Sequence, residues 1–337
     1  MRIGMNPEKQ EGKIRLNYQH RVIIVVYIPS LEGYYKEVFE VFKLCLASVT
    51  TTKNNKCAIT IVNNGCCETV VNYINDQLKK DDVDSVIHHK QNIGKMDALI
   101  GAARGSREPL ITLSDVDILY KTGWQEAVET IFYGMNQVGS VSPIPVRNSL
   151  YYGASSTLKR IILNKVKYSP QAIPENFDSY NRFLESVGWE KETDKNLLWP
   201  VIESNNIKSV LGSMHQVMTL NREIIMNVVP KEPSFILVGN DSELNYCDLP
   251  IDYSGGMRLS TYNNYAFHMG NTVEPWMQLI QETNVLENKN VEYESKIKRI
   301  KFKVTTPNLF FDFKRRVFQK VFKCFINKGR VKEEIHD

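Results

Sequence analysis

The chain has 337 residues, 42% hydrophobic and 24% charged, a balance that excludes a disordered or fibrous protein and supplies one large α/β domain with an appendage. Its formal net charge of +4 hides a division: residues 296–332 hold thirteen Lys/Arg against one acid, Asp312, so that segment carries +12 and the remainder −8. A basic block on an otherwise acidic chain argues against a nucleic-acid-binding protein and for one local contact with an anionic surface.

Residues 1–20 are polar and without pattern, and read as an N-terminal extension. They lack the apolar stretch and small-residue cleavage site of a secretory signal, so a cytoplasmic protein is expected. The longest apolar run, Val22 to Ile28, is far shorter than the roughly 18 residues a bilayer-spanning helix needs. Being β-branched and closed by Pro29-Ser30, it predicts a buried strand of a parallel sheet. Tyr35, Val38, Phe39, Phe42, Leu46 and Val49 then recur at helical spacing through 34–50. A second strand, 58–62, ends in the turn signal Asn63-Asn64-Gly65. A helix over 68–79, a strand over 83–88, a helix over 94–104 and a strand over 110–114 follow. Strand and helix alternating with short connections predict a Rossmann-like, mostly parallel sheet flanked by helices, with ligands at the carboxyl ends of the strands. The segment 168–206 has no clear period and reads as a long looped insertion, a candidate lid. Strands resume at 207–220, 234–238 and 265–268, and Gly239 to Glu243 opens a helix. Six cysteines without a C-x-x-C spacing suggest neither zinc nor disulfides.

The chemistry concentrates where the fourth strand closes in Asp115-Val116-Asp117. Carboxylates two positions apart in a strand share a face, and at its carboxyl end can hold a divalent cation that neutralises a diphosphate. The bland alternative is a pair of capping or solvated acids. Lys95, at a helix start, is either a phosphate or base contact or a solvated side chain. His88-His89 read as surface residues.

A first strand followed by Pro29, a second closed by Asn63-Asn64-Gly65, Asn92-Ile93-Gly94-Lys95 before a helix, and an apolar strand ending in D-x-D together resemble the family-2 glycosyltransferases of the GT-A fold. The resemblance covers about residues 21–270 and implies a glycosyltransferase domain over 21–272; from Val273 onward the chain reads as a separate helical, basic region over 273–337. It implies nucleotide-sugar contacts at Pro29, Asn63, Asn64, Asn92, Lys95 and Asp115, and Mn²⁺ or Mg²⁺ held by Asp115, Asp117 and His268, the last in a matching H-x-G-N setting. Asp241, in Gly239-Asn240-Asp241-Ser242-Glu243, falls where the family carries its catalytic base, with Glu243 in reserve. Two departures stand out: Asn63 and Asn64 replace an acidic turn, and Asn240 replaces the Glu of a Glu-Asp pair. No Q-x-x-R-W signature of processive synthases occurs, which favours single-sugar transfer.

On a helical wheel, residues 309–325 gather Phe310, Phe311, Phe313, Val317, Phe318, Val321, Phe322 and Phe325 in one arc, with Arg315, Arg316, Lys320 and Lys323 largely opposite and Lys314 intruding. Such a helix suits an anionic membrane interface; docking on the domain is the alternative. The expected protein is therefore an inverting, metal-dependent glycosyltransferase. It would move one sugar from a nucleoside-diphosphate sugar to a hydroxyl acceptor, such as a lipid-linked glycan, while peripheral on the inner face of the cell membrane. The rival readings are a catalytically silent nucleotide-sugar or membrane-binding module and a nucleotidyltransferase.

Overall fold

The computed structural model describes residues 4–6, 9, 12–147, 152–288, 300–305 and 311–328. The chain opens with β1 (His20–Val26), a single 3-10 turn at Gly33–Tyr35, α1 (Val38–Thr52), β2 (Cys57–Asn64), α2 (Glu68–Lys79), β3 (Ser85–His89), α3 (Lys95–Gly105) and β4 (Leu110–Ser114). It continues through β5 (Ile118–Tyr120), α4 (Trp124–Gly134), β6 (Val138–Ser142), α5 (Ser155–Ile162), β7 (Lys167–Ala172), α6 (Phe177–Ser186), β8 (Leu198–Ser204), β9 (Ile207–Leu211), β10 (Val217–Asn221) and α7 (Arg222–Asn227). A broken helix follows, α8 (Asn240–Glu243) passing through a π turn at Leu244–Asp248 into α9 (Leu249–Tyr253). Then come β11 (Met257–Thr261), β12 (Ala266–His268), α10 (Pro275–Asn288) and α11 (Phe311–Lys328).

Ten strands form one sheet in the order β3-β2-β1-β4-β10-β6-β11-β9-β8-β7, and β5 pairs with β12 in a separate ribbon. β1, β2, β3 and β4 are mutually parallel, and the intervening antiparallel steps leave β6, β8 and β11 running the same way. This is the expected Rossmann-like, mostly parallel sheet between helical layers. The unbroken apolar run of β1 is explained by burial on both faces. Val22, Ile24 and Val26 enter the core shared with α1, α2 and α4, whereas Ile23 and Val25 enter the core shared with α3, α7 and α9.

Three expectations need correction. Residues 168–206 are not a looped insertion: β7 and β8 pair antiparallel and extend the sheet, and α6 buries Tyr180, Phe183 and Leu184 beside them. Residues 234–238 form no strand, because the Asp97 carboxylate accepts from the Ser234 and Phe235 backbone N–H groups (2.7 and 3.0 Å) and holds the segment as an exposed loop. Residues 207–220 are two strands, β9 and β10, split by a buried connection.

Beyond residue 272 the chain stays attached to the sheet domain. α10 lies on α1 through buried Met277 and a hydrogen bond from Gln281 Nε2 to the Ala47 carbonyl (3.3 Å). Residues 300–305 run past β6, where the Lys301 carbonyl accepts from Gln137 N–H (2.9 Å). α11 rests on α5. Of the basic segment, residues 296–299, 306–310 and 329–332 lie outside the described residues, as does Phe310; the side chains of Phe311, Lys314 and Phe325 are likewise not described.

Candidate active site

Because β1, β2 and β4 are parallel neighbours, their carboxyl ends share one edge of the sheet, and a cavity of about 440 Å³ opens there. Tyr27, Tyr34 and Tyr35 line one part of it; Tyr35 stands edge-on to both other rings, at 5.8 and 5.2 Å between centroids. Asn64, Asn92, Lys95, Asp115 and Asp117 supply polar lining, and Val25, Val38, Val116, Leu237, Val238, Gly270 and Asn271 complete it.

The turn before α3 is built by amides. Asn64, buried at the end of β2, donates from Nδ2 to Asn92 Oδ1 (2.9 Å) and accepts the Ile93 N–H at Oδ1 (3.0 Å). Asn92 Oδ1 also accepts the Gly94 N–H (2.9 Å). Gly94 takes φ +98°, a region open to glycine, and its Cα faces the Ile236 carbonyl. Lys95 N–H donates to the Leu237 carbonyl (2.8 Å), so the apolar loop 235–238 is tied to the same turn.

The Lys95 side chain reaches into the cavity and bridges two carboxylates, Asp115 at 2.8 Å and Glu243 at 2.7 Å. Burial disfavours its charge, but the two acids outweigh that and raise the ammonium's pKa. Asp115 is raised by burial, opposed by Lys95 and reinforced by the neighbouring Asp117. Glu243 uses its other oxygen to meet His215 Nε2 (3.1 Å), and His215 Nδ1 lies 3.7 Å from the buried Asp248, which pairs with buried Arg258 (2.7 Å).

Asp117 is positioned by the ribbon of β5 and β12, whose ladder extends through a hydrogen bond from Met269 N–H to the Asp117 carbonyl (2.8 Å). His268 Nε2 lies 3.2 Å from Asp117 Oδ2, while its Nδ1 meets Ser186 Oγ at 2.9 Å. Burial lowers the His268 pKa, and the hydrogen bond and charge of Asp117 more than reverse this. The second Asp117 oxygen, Oδ1, is buried without a partner among the described residues. Those residues contain no cluster of three His, Cys, Asp or Glu able to hold a metal on their own. An orphaned carboxylate oxygen beside an imidazole nevertheless fits Mn²⁺ or Mg²⁺ of the kind bound by one or two carboxylates plus substrate phosphates.

Six of the residues singled out in the sequence therefore meet around this cavity: Asn64, Asn92, Lys95, Asp115, Asp117 and, through Asp117, His268. Glu243 joins them through Lys95. Pro29 is exposed and does not line the cavity. Asn63 is buried as a turn former, its Oδ1 accepting the Gly65 and Cys66 N–H groups (3.2 and 2.8 Å). Asp241 is exposed, two residues along the helix from Glu243 and three from Val238. Tyr27, Tyr34, His215, Asp248 and Arg258 were not singled out in the sequence. The two tyrosines were open to notice from their closeness to the end of β1, whereas the other three are joined only by the tertiary fold.

No protein-family model matches the chain, and no curated protein matches its sequence. Among solved structures it is similar to the mannosyltransferase PcManGT from Pyrobaculum calidifontis in complex with GDP-Man and Mn²⁺, at 14% identity and a TM-score of 0.41, covering 73% of this chain and 55% of that one. It is similar to residues 1–349 of TarS from S. aureus (10% identity, TM-score 0.43, 82% of this chain and 67% of that one). A third is GalNAc-T7 with UDP, GalNAc and Mn²⁺ (13% identity, TM-score 0.46, 74% of this chain and 43% of that one). The match thus spans about half the length of the first and less than half of the last.

Proposed function

We propose that this chain is an inverting glycosyltransferase that moves a single sugar from a nucleoside-diphosphate sugar to a hydroxyl acceptor in polysaccharide or glycolipid assembly. The observation that carries this reading is the two-part character of the cavity at the carboxyl edge of β1, β2 and β4. Its tyrosine and amide part suits a nucleoside, which needs flat apolar contact with a few hydrogen-bonding groups. In its other part the carboxylates of Asp115 and Asp117 outnumber the Lys95 ammonium, which suits a diphosphate that arrives with a divalent cation as countercharge.

Lys95 brings a fixed positive charge to the diphosphate, and Glu243 and Asp115 hold that ammonium in place. Asp117 and His268, with Asp115, would hold the divalent cation, which when bound supplies further countercharge to the departing diphosphate. Asp241 is the base in this reading. It is exposed, with no hydrogen-bond or ionic partner among the described residues, so its carboxylate is free to take the acceptor hydroxyl proton as the oxygen attacks the anomeric carbon. Glu243, with both oxygens engaged by Lys95 and His215, serves as an anchor.

The test is thermal denaturation with UDP-, GDP-, CDP- and dTDP-sugars, each with Mn²⁺, with Mg²⁺ or with chelator. One nucleotide sugar should raise Tm in a metal-dependent way, and Asp115→Ala and Asp117→Ala should abolish the rise. No shift with any donor in the unsubstituted protein would overturn the reading in favour of a module without this activity.

A further inference from the structure

Helix α11 meets the domain with one side and solvent with the other. Phe322 is fully buried, its ring edge-on to Tyr168 of β7 at 5.4 Å. Phe318, one turn earlier, is half-buried with the Lys159 ammonium of α5 over its ring at 5.8 Å. At about 100° per residue, Phe313 lies opposite these two rings, and Val317 and Val321, at successive four-residue steps, lead back from it along one flank of the helix toward Phe318. These three are exposed, Phe313 by 68%. Arg316 and Lys320 are exposed along one border of this stripe, with Lys323 beyond them. No acid occurs among the described side chains of the helix. Just upstream, Ile300, Phe302 and Val304 are half-buried while Lys301 and Lys303 face solvent, so the approach to the helix is basic as well.

The apolar row therefore stands where the domain cannot cover it, with cations beside it. A second copy of the chain would cover the row only by bringing two cationic borders together. A nucleic acid would satisfy the cations and leave Phe313, Val317 and Val321 against phosphate. A bilayer with anionic headgroups meets both demands, taking the apolar stripe into its interface and pairing the basic border with lipid charge.

We propose that α11 is an interfacial anchor of fixed orientation, docked on the domain by Phe318 and Phe322 and inserted into an anionic membrane surface by Phe313, Val317 and Val321. The helix does not cross the bilayer; no described helix is long and apolar enough to do so. Docking distinguishes it from a loose basic tail, because the domain is then held in one attitude to the membrane. The assignment goes beyond the proposed reaction and does not depend on it.

The full chain is mixed with vesicles of phosphatidylcholine alone or with one third phosphatidylglycerol, sedimented at low and high salt, and sized by light scattering without lipid. Retention on the anionic vesicles, weakened by salt, is expected. Phe313→Asp should reduce it about tenfold or more through the lost apolar burial, and Arg316→Glu with Lys320→Glu by a similar factor through the lost attraction to anionic lipid. All three positions are exposed, so the thermal transition should not move. No retention on anionic vesicles, or retention that Phe313→Asp and the charge reversal leave unchanged, would overturn the proposal. A dimer that Phe313→Asp dissociates, without vesicle binding, would reassign the stripe to a second copy; retention on RNA that vesicles fail to compete away would reassign the basic border.

Discussion

Lys95 is the residue on which the candidate site turns. Two acids hold it, Asp115 and Glu243, whereas Asp241, two residues before Glu243, is exposed and left open. That division separates two roles which the spacing Asp241-Ser242-Glu243 leaves together. Asp241→Asn keeps the size and polarity of the side chain but cannot take a proton. It should lower turnover by about 10²- to 10⁴-fold while the donor still raises Tm. Glu243→Gln should weaken donor-induced stabilisation first, because one of the two carboxylates fixing Lys95 is gone. Turnover measured beside thermal shift checks the pair, and the opposite pattern would make Glu243 the base. The residues legible in sequence here, Lys95, Asp115, Asp117 and His268, lie within short motifs. His215, Asp248 and Arg258 were illegible, because each is a single residue whose partner is brought in by the fold; Arg258 sits in β11, ten residues from Asp248 yet within 2.7 Å of it.

At the scale of elements, the turn leading into α3 joins the amide pair of Asn64 and Asn92 to the apolar loop 235–238. Gly94 is the point of closest approach: a Cβ there would collide with the Ile236 carbonyl oxygen, at a φ of +98° that other residues rarely adopt. Gly94→Ala should therefore cost about 1–3 kcal/mol of stability. It should also diminish donor-induced stabilisation, since Lys95 is the next residue and opens α3; denaturant unfolding and thermal shift measure the two effects. The same loop shows how local sequence can suggest a strand where none forms. Phe235-Ile236-Leu237-Val238 has the composition of a strand, but Phe235 takes φ +57° and the backbone bonds to Asp97, a long-range partner that local pattern cannot reveal. The antiparallel pair of β7 and β8 is hidden in the sequence for the converse reason. It carries Pro170 and Pro200 opposite one another near the sheet's edge, residues that argue against a central strand yet are tolerated at an edge. β1, with apolar residues on both faces, was legible because its burial is encoded in its own composition.

Across the whole molecule, the sheet is tied at the end opposite the cavity by a cluster that joins three strands to the residues leading into a fourth. Arg21, near the start of β1, donates from Nε and Nη2 to Glu108 just before β4 (2.9 and 2.6 Å). Its Nη1 also reaches Thr60 of β2 (2.8 Å) and Ser85 of β3 (3.5 Å). Burial alone would raise the Glu108 pKa, but the hydrogen bonds and charge of Arg21 hold it below the ordinary carboxylate range. A carboxyl whose folded pKa is depressed stabilises the fold fully above its unfolded value of about 4.3, and that contribution fades as pH falls through the lower folded value. Unfolding free energy should therefore fall on acidification below about pH 5, with the unfolded chain binding the extra proton. Glu108→Gln should flatten that slope and, by leaving the Arg21 guanidinium without its anion, cost roughly 3 kcal/mol near neutral pH. Urea unfolding of both proteins across the acid range measures the difference, and parallel slopes would show that other carboxylates govern acid stability. The tie also bears on function, because the parallel strands it joins are those whose carboxyl ends frame the cavity. Fixing their register at one end holds Asn64 and Asp115 in register at the other.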